Sequence, residues 1–299
     1  VSSHLSEHKR GEEEPIKLIL HRPVLVDEVL SFIRDGIWVD ATLGTGGHTD
    51  AILTRFDEVF VYGIDRDRES LEIAKKRLGK FRDRVEFICD NFSNLEKLVS
   101  EPVRGVLFDI GLSSFQLDDA RRGFSYRFDG PLDMRMDRRN GLPLQRRLRH
   151  LTRTQMEKIL RNYGEERRAR KIARKIYGLR DKIETTGDLR DLAGKDPRTL
   201  SRVFQAFRIF INDELKNLKE GLFSALSILE EGGRIIVISY HSLEDRIVKQ
   251  FFKENDSLVA LTKRPIRPSE EEIASNPRAR SAKMRVAEKI DDLRLTIDN

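Results

Sequence analysis

Asp40, Asp65 and Asp109 each close a short apolar run, and the first is followed by a glycine-rich segment, Gly44-Thr45-Gly46-Gly47. Carboxylates so placed can accept hydrogen bonds or balance a positive charge. The glycines let the backbone turn sharply and approach a ligand with no Cβ in the way. A loop that cradles phosphate needs Lys-Ser/Thr after its last glycine, and His48-Thr49 stands there instead. The dinucleotide pattern needs a third glycine or alanine at position 49, so that match is incomplete. What remains is an acid four residues before Gly44, and Asp65 at the end of the next apolar run. A carboxylate at Asp65 suits ribose hydroxyls, and one at Asp40 suits an ammonium group better than a pyrophosphate. Ribose plus a cationic amino acid points to S-adenosylmethionine. NAD or FAD, or a glycine turn with no ligand, stay open.

These acids must be held by strands. Residues 37–39, 59–64, 85–89 and 105–109 read as four buried strands, with a helix at 29–33 before the first and another at 68–78 after the second. The third strand ends in Asp90-Asn91-Phe92; the Phe92 ring could lie on an adenine face or pack beneath the next helix through Leu95 and Leu98. The fourth is followed by Ile110-Gly-Leu-Ser-Ser114. The next convincing strand is 234–239, introduced by Glu231-Gly232-Gly233, so 125 positions separate Asp109 from Arg234. A strand–helix–strand unit needs only about 30 residues, so an extra domain must sit between strands four and five. It reads as helical at 155–163, 165–179 and 185–193, and one long helix at about 200–229 returns the chain to the sheet. Tyr240 to Arg246 leads into a helix through Val248, Phe251 and Phe252. Residues 258–262 and 284–288 are the last two strands, separated by Pro265, Pro268 and Pro277. The fold class expected is α/β, a doubly wound seven-stranded sheet with an inserted helical domain.

The chain has 299 residues, 35% of them charged, with a mean hydropathy of −0.51. No apolar run approaches the roughly 18 residues of a membrane span, and the polar first twenty residues carry no signal-peptide core. The single cysteine, Cys89, excludes an internal disulfide and a cysteine-based zinc site. A cytoplasmic protein is expected. Net charge is +6, but residues 121–180 hold 19 Lys/Arg, 16 of them arginine, against 6 Asp/Glu, a local net of +13. The rest of the chain is therefore −7. So steep an imbalance favours a polyanion, nucleic acid first, with Arg146, Arg147 and Arg149 as a cluster to meet it. His21, His48 and His241 show no metal-ligand spacing, and His241-x-x-Glu244 is not the zinc-protease pattern, so no metal is expected. Ser113-Ser114 has no nearby histidine base, and Ser114 is expected to bond backbone in its loop.

With these residues in place the chain resembles the bacterial small-subunit ribosomal RNA cytosine-N4 methyltransferases over nearly its whole length. The matching stretches are His21 to Glu28, Asp40 to His48, Gly63-Ile-Asp-Arg-Asp67 and Asp109-Ile-Gly-Leu-Ser-Ser-Phe-Gln-Leu-Asp118. They continue with Arg122-Gly-Phe-Ser-Tyr126, Asp129 to Asp137, Tyr163-Gly-Glu-Glu-Arg167, Phe204 to Asn212, Ser239 to Arg246 and Asn276 to Ser281. The resemblance implies a class I (Rossmann-like) methyltransferase and S-adenosylmethionine enclosed by Gly46, Gly47, His48, Asp65, Phe92, Asp109 and Gln116. It implies a cytidine of the decoding region as substrate and the small ribosomal subunit or its RNA as partner. Asp109 is the catalytic candidate. Polar residues in the same stretches, Ser114, Arg122, Asp133, Arg135, Arg208, Asn212, His241 and Ser242, are candidates to contact RNA. The expected layout is a mobile tail at 1–20, a discontinuous methyltransferase domain at 21–114 and 216–299, and an inserted basic domain at 115–215. Two departures stand out: a shortened lead-in before Phe204, and Phe115 where proline is common. Asp109-Ile-Gly-Leu112 also differs from the Asp/Asn/Ser-Pro-Pro-aromatic loop of DNA amino-methyltransferases. Methylation of DNA, and a non-catalytic RNA-binding or ribosome-assembly protein with a vestigial cofactor fold, are the alternatives.

Overall fold

The structure is a computed structural model that describes residues 23–290. The expected tail and His21 lie outside the described residues. The first half alternates helix and strand: α1 (Val26–Phe32), β1 (Gly36–Asp40), α2 (Gly47–Arg55), β2 (Val59–Ile64), α3 (Arg68–Arg77), β3 (Val85–Ile88), α4 (Leu95–Leu98) and β4 (Val103–Asp109). After a short α5 (Ser114–Asp118) the chain leaves the sheet for α6 (Leu144–Arg149), α7 (Arg153–Gly164), α8 (Ala169–Leu179), α9 (Thr186–Ala193) and α10 (Pro197–Asn212). It returns through α11 (Glu214–Ile228) to β5 (Leu229–Ser239), α12 (Ser242–Glu254), β6 (Leu258–Ala260) and β7 (Lys283–Lys289).

The seven strands lie in the order β3-β2-β1-β4-β5-β7-β6. β1 to β5 are parallel, and β7 runs antiparallel between β5 and β6. This is the sheet of a class I methyltransferase. The order reverses between β1 and β4, so the loops after those strands diverge and leave a crevice at their carboxyl ends. Alternation along the strands gives each face its own core: Trp38, Leu107 and Ile236 pack with α1, α2 and α3, whereas Val39, Val106, Phe108 and Ile235 pack with α11 and α12. Trp38 is seated against the bare backbone of Gly105, where an added Cβ would lie 2.3 Å from the indole.

The residues between β4 and β5 build a third apolar cluster, which includes Leu148, Met156, Ile172, Ile176 and Phe207. Its helices begin where the sequence supplies caps. Thr152 with Gln155 and Thr185 with Asp188 form capping boxes, and Asp196 with Pro197 opens α10. Gly194, Lys195 and Asp196 alone join α9 to α10.

Three expectations need correction. The long helix at 200–229 is two helices, broken at Asp213, whose backbone is left-handed (φ 51°, ψ 35°). The break leaves the Asn212 carbonyl free to accept from Asn217 Nδ2 (2.9 Å) and Arg66 Nη1 (3.1 Å). β5 begins at Leu229, because Glu231-Gly232-Gly233 is a bulge within the strand: Val103 pairs with Leu229 and Gly105 with Arg234, and Gly232 takes a φ of 72°. The helix expected at 165–179 starts at Ala169, since Glu165 is left-handed (φ 48°) and ends α7. No helix among the described residues is long and apolar enough to cross a membrane.

Candidate active site

A cavity of about 850 Å³ opens at the carboxyl ends of β1, β2, β3 and β4. Its floor comes from the loop between β1 and α2. Gly46 has a φ of 79° and lies against Leu78, where a Cβ would come within 3.0 Å of Leu78 Cδ1. Of the seven residues expected around the cofactor, Gly46 alone is absent from the wall; it makes the turn that presents Gly44, Thr45, Gly47 and His48.

Asp65, after β2, accepts from Gly44 N through Oδ2 and from Asp67 N through Oδ1, both at 2.8 Å. Desolvation pushes its carboxyl up to about 6, and the two backbone donors only partly oppose it. Each oxygen keeps a lone pair for a ligand. Asp109, after β4, accepts from the Tyr240 hydroxyl through Oδ1 at 2.8 Å, and its Oδ2 lies 3.6 Å from His48 Nδ1. Its carboxyl is also raised by desolvation, against the pull of His48 and Tyr240. Tyr240 is in turn raised well above its ordinary value by burial and by Asp109. His48 Nε2 lies 2.9 Å from the Val24 carbonyl, which can only accept, so Nε2 carries a proton.

Asp40 behaves differently from the expectation. It is buried, accepting from Thr49 Oγ1 at 2.7 Å and from Thr42 N at 3.3 Å, and is absent from the cavity wall. It braces the loop, and of the three strand-end acids Asp65 and Asp109 line the cavity.

Phe92 takes the packing role and also reaches the cavity. Its ring meets Phe108 edge to face at 5.5 Å and packs on Gly221 of α11, where a Cβ would clash at 2.5 Å, yet it still lines the cavity. Gln116 closes the far side. Its Oε1 accepts from Ser113 N, and its Nε2 donates to Asp67 at 2.7 Å. Ser113, not Ser114, makes the backbone cap; Ser114 is the first residue of α5 and lines the cavity.

Most residues expected to meet RNA are engaged inside the protein. Arg122 is fully buried, 2.8 Å from Asp67 and 3.4 Å from Glu69, and bonds the carbonyls of Arg135 and Met136. Arg135 grips Asp133 through Nε at 2.7 Å and Nη2 at 3.0 Å, and bonds the Arg138 and Gly141 carbonyls. Asn212 accepts from Met136 N and donates to the Met134 carbonyl. Arg122 and Asn212 fasten the chain after α5 onto α3 and α10 and are buried, as is Asp133; Asp133 and Arg135 pair within the 133–141 loop, and Arg135 stays partly exposed. Arg208 does line the cavity, held by Glu214 through two 2.9 Å bonds. His241 caps α12, and Ser242 donates to Glu165 at 2.7 Å. Among the described residues one cluster, Glu214, His241 and Glu244, has metal-ligand spacing. Arg208 already supplies the cation there. Burial pushes the Glu244 carboxyl up, but His241 and Arg208 more than offset that and leave it below its ordinary value.

Sequence reading missed Tyr240, Glu214 and Arg278 on the wall. Tyr240 meets Asp109 across 131 positions, a separation that no local pattern reports.

A family model, described as the MraW methylase family, matches residues 18–290. The chain belongs to the MraW methylase family. A ribosomal RNA small subunit methyltransferase H from Carboxydothermus hydrogenoformans is 43% identical over 305 aligned positions, covering 90% of this chain and 98% of that protein. Proteins of the same name from Neorickettsia sennetsu and Persephonella marina are each 44% identical; they cover 91% of this chain in both cases, and 97% and 100% of those proteins. Each of these MraW relatives is therefore matched almost end to end.

Proposed function

We propose that this MraW-family chain transfers the methyl group of S-adenosylmethionine to the exocyclic N4 amine of a cytidine in small-subunit ribosomal RNA. The observation that carries the reading is the pair of desolvated carboxylates, Asp65 and Asp109, flanking a glycine loop in one cavity. Acids raised by desolvation suit a cation and ribose hydroxyls, and repel a pyrophosphate. S-adenosylmethionine offers both a cation and a ribose, and supplies an electrophilic methyl when bound.

Asp65 would accept from the ribose, Phe92 would lie against the adenine, and Gly47, His48 and Gln116 would enclose the remainder. The N4 amine is a weak nucleophile, because its lone pair is delocalised into the ring. The protein need not deprotonate it first. It must hold the nitrogen in line with the methyl and offer acceptors to its hydrogens as it becomes tetrahedral. Asp109 suits that role, because Tyr240 fixes its orientation and its Oδ2 faces the cavity side shared with His48. Residues 115–215 would receive the RNA on their basic surface, and residues 21–114 and 216–299 would carry the chemistry. The target base must be unpaired or turned out of its stack to enter. With such a substrate the protein would act in the cytoplasm.

Calorimetry separates this reading from dinucleotide binding. S-adenosylmethionine and its demethylated product should both bind with measurable heat, and NAD should not. Binding of NAD in their place overturns the assignment.

A further inference from the structure

A second cavity, of about 350 Å³, adjoins the first and shares Leu117, Asp118, Arg208, Tyr240 and Arg278 with it. One wall is a single face of α10, made by Ser201, Phe204, Gln205 and Arg208 at helical spacing. The segment 124–128 lines another. The floor is apolar: Phe124 and Phe204 are buried, and Tyr126 meets Phe204 edge to face at 5.6 Å.

The rim has a different character. Phe128 is 45% exposed, although its backbone is anchored by Thr186 Oγ1, which donates to the Phe128 carbonyl at 2.8 Å. With its backbone fixed and its ring exposed, Phe128 is available to a ligand at the rim. Arg127 beside it is exposed. Arg278 stands on the wall common to both cavities. Its Nη2 donates to Asp118 at 2.6 Å, and its Nη1 is buried with no hydrogen-bond partner among the described residues. A partly exposed guanidinium, an exposed ring and an apolar floor are the parts with which proteins hold an unstacked base of single-stranded RNA.

We propose that this second cavity holds the base of the nucleotide next to the target cytidine, stacked on Phe128, with the partly exposed side chain of Arg278 against its edge. The proposal rests on the RNA reading of the first cavity and extends it. The first cavity is large enough for a cofactor together with one base, and the strand leaving that base passes Arg208, Tyr240 and Arg278 into the second. Two adjacent bases are then unstacked together, so a target within a regular duplex is refused.

Phe128→Trp places an indole on the rim. The chain's single tryptophan, Trp38, is buried (1% exposed), so the new emission reports the rim. A short single-stranded RNA should quench it, and inorganic polyphosphate, which has charge but no bases, should not. Equal quenching by polyphosphate, or none by RNA, overturns the proposal. In methyl transfer to small-subunit RNA, Phe128→Ala should lower kcat/KM by about tenfold, the scale of one lost stacking contact. Cofactor affinity should be unchanged, and Phe128→Tyr should restore the rate. Restoration by Phe128→Leu to the same degree would show a packing role and defeat the stacking assignment. If the indole is quenched by RNA while the unaltered protein methylates none, the methyl-transfer reading fails and the base pocket stands.

Discussion

Asp65 is held by two backbone N–H groups in a setting that disfavours its charge, and its carboxyl sits near 6 rather than 3.8. The folded protein therefore holds a proton that the unfolded chain releases across that window, so stability without cofactor should fall as pH rises through it. Ribose hydroxyls donate to the charged form. Below about pH 6 that acceptor is lost, so cofactor affinity should fall as pH falls through this value. Asp65→Asn should bind at least about tenfold more weakly at neutral pH, the scale of one charge-assisted hydrogen bond, and lose the pH dependence. Calorimetry at two pH values checks both; an affinity that ignores pH in the unaltered protein contradicts the ribose role. Asp109 makes a different prediction. Asp109→Asn should slow single-turnover transfer by about tenfold or more at saturating cofactor, and Tyr240→Phe should slow it in the same direction by releasing the carboxylate. Full recovery at high cofactor concentration would leave Asp109 a binding residue only. Asp65 and Asp109 were legible because each ends an apolar run, where an open α/β sheet binds its ligand. Arg122, Asp133 and Asn212 are buried, against the expectation of RNA contact, for an equally physical reason: a motif marks a residue as constrained, but only the fold shows whether it faces a ligand or ties segments together.

The helices of the basic segment divide their charge unevenly. Arg149 pairs with Glu184, Arg161 with Glu157 and Arg139 with Asp137, while Arg147 lies over the Phe210 ring. By contrast Arg170, Lys171, Arg174 and Lys175 stand exposed along one side of α8, opposite the buried Ile172, Ala173 and Ile176, and hold no ion pair among the described residues. The RNA backbone is therefore expected on α8 more than on Arg147 and Arg149; Arg146 is exposed and holds no ion pair among the described residues. Replacing Arg170, Arg174 and Lys175 with glutamine should lower the slope of log affinity against log salt by up to about 2, at roughly 0.7 per phosphate contact on a single strand. Filter binding at several salt concentrations measures it, and an unchanged slope returns α8 to an ordinary solvated face. At this scale the strands could be read closely, since apolar runs bounded by Gly, Asp and Pro leave few choices. The break at Asp213 could not, because the apolar period passes through it with neither proline nor glycine there. What enforces the break is the set of bonds that Asn212 makes to Met134, Met136 and Arg66, far away in sequence.

The whole molecule joins a sheet that offers desolvated carboxylates to a helical layer that offers unpaired cations. We propose a cationic methyl donor for the first and a polyanion for the second, and Arg208, Tyr240 and Arg278 line the cavities. The alternation of strand and helix, the long interval before β5 and the charge of residues 121–180 were enough to anticipate that division. The course we propose for the RNA was not, because it depends on side chains brought together across the insertion. The central claim is the identity of the methylated atom. The protein should be incubated with S-adenosylmethionine labelled in its methyl group and with small-subunit RNA, free and in assembled subunits, from cells lacking this protein. The RNA should then be digested and its nucleosides resolved by mass spectrometry. The label is predicted in N4-methylcytidine; label in any other nucleoside, or none from either form of the RNA, would contradict the account.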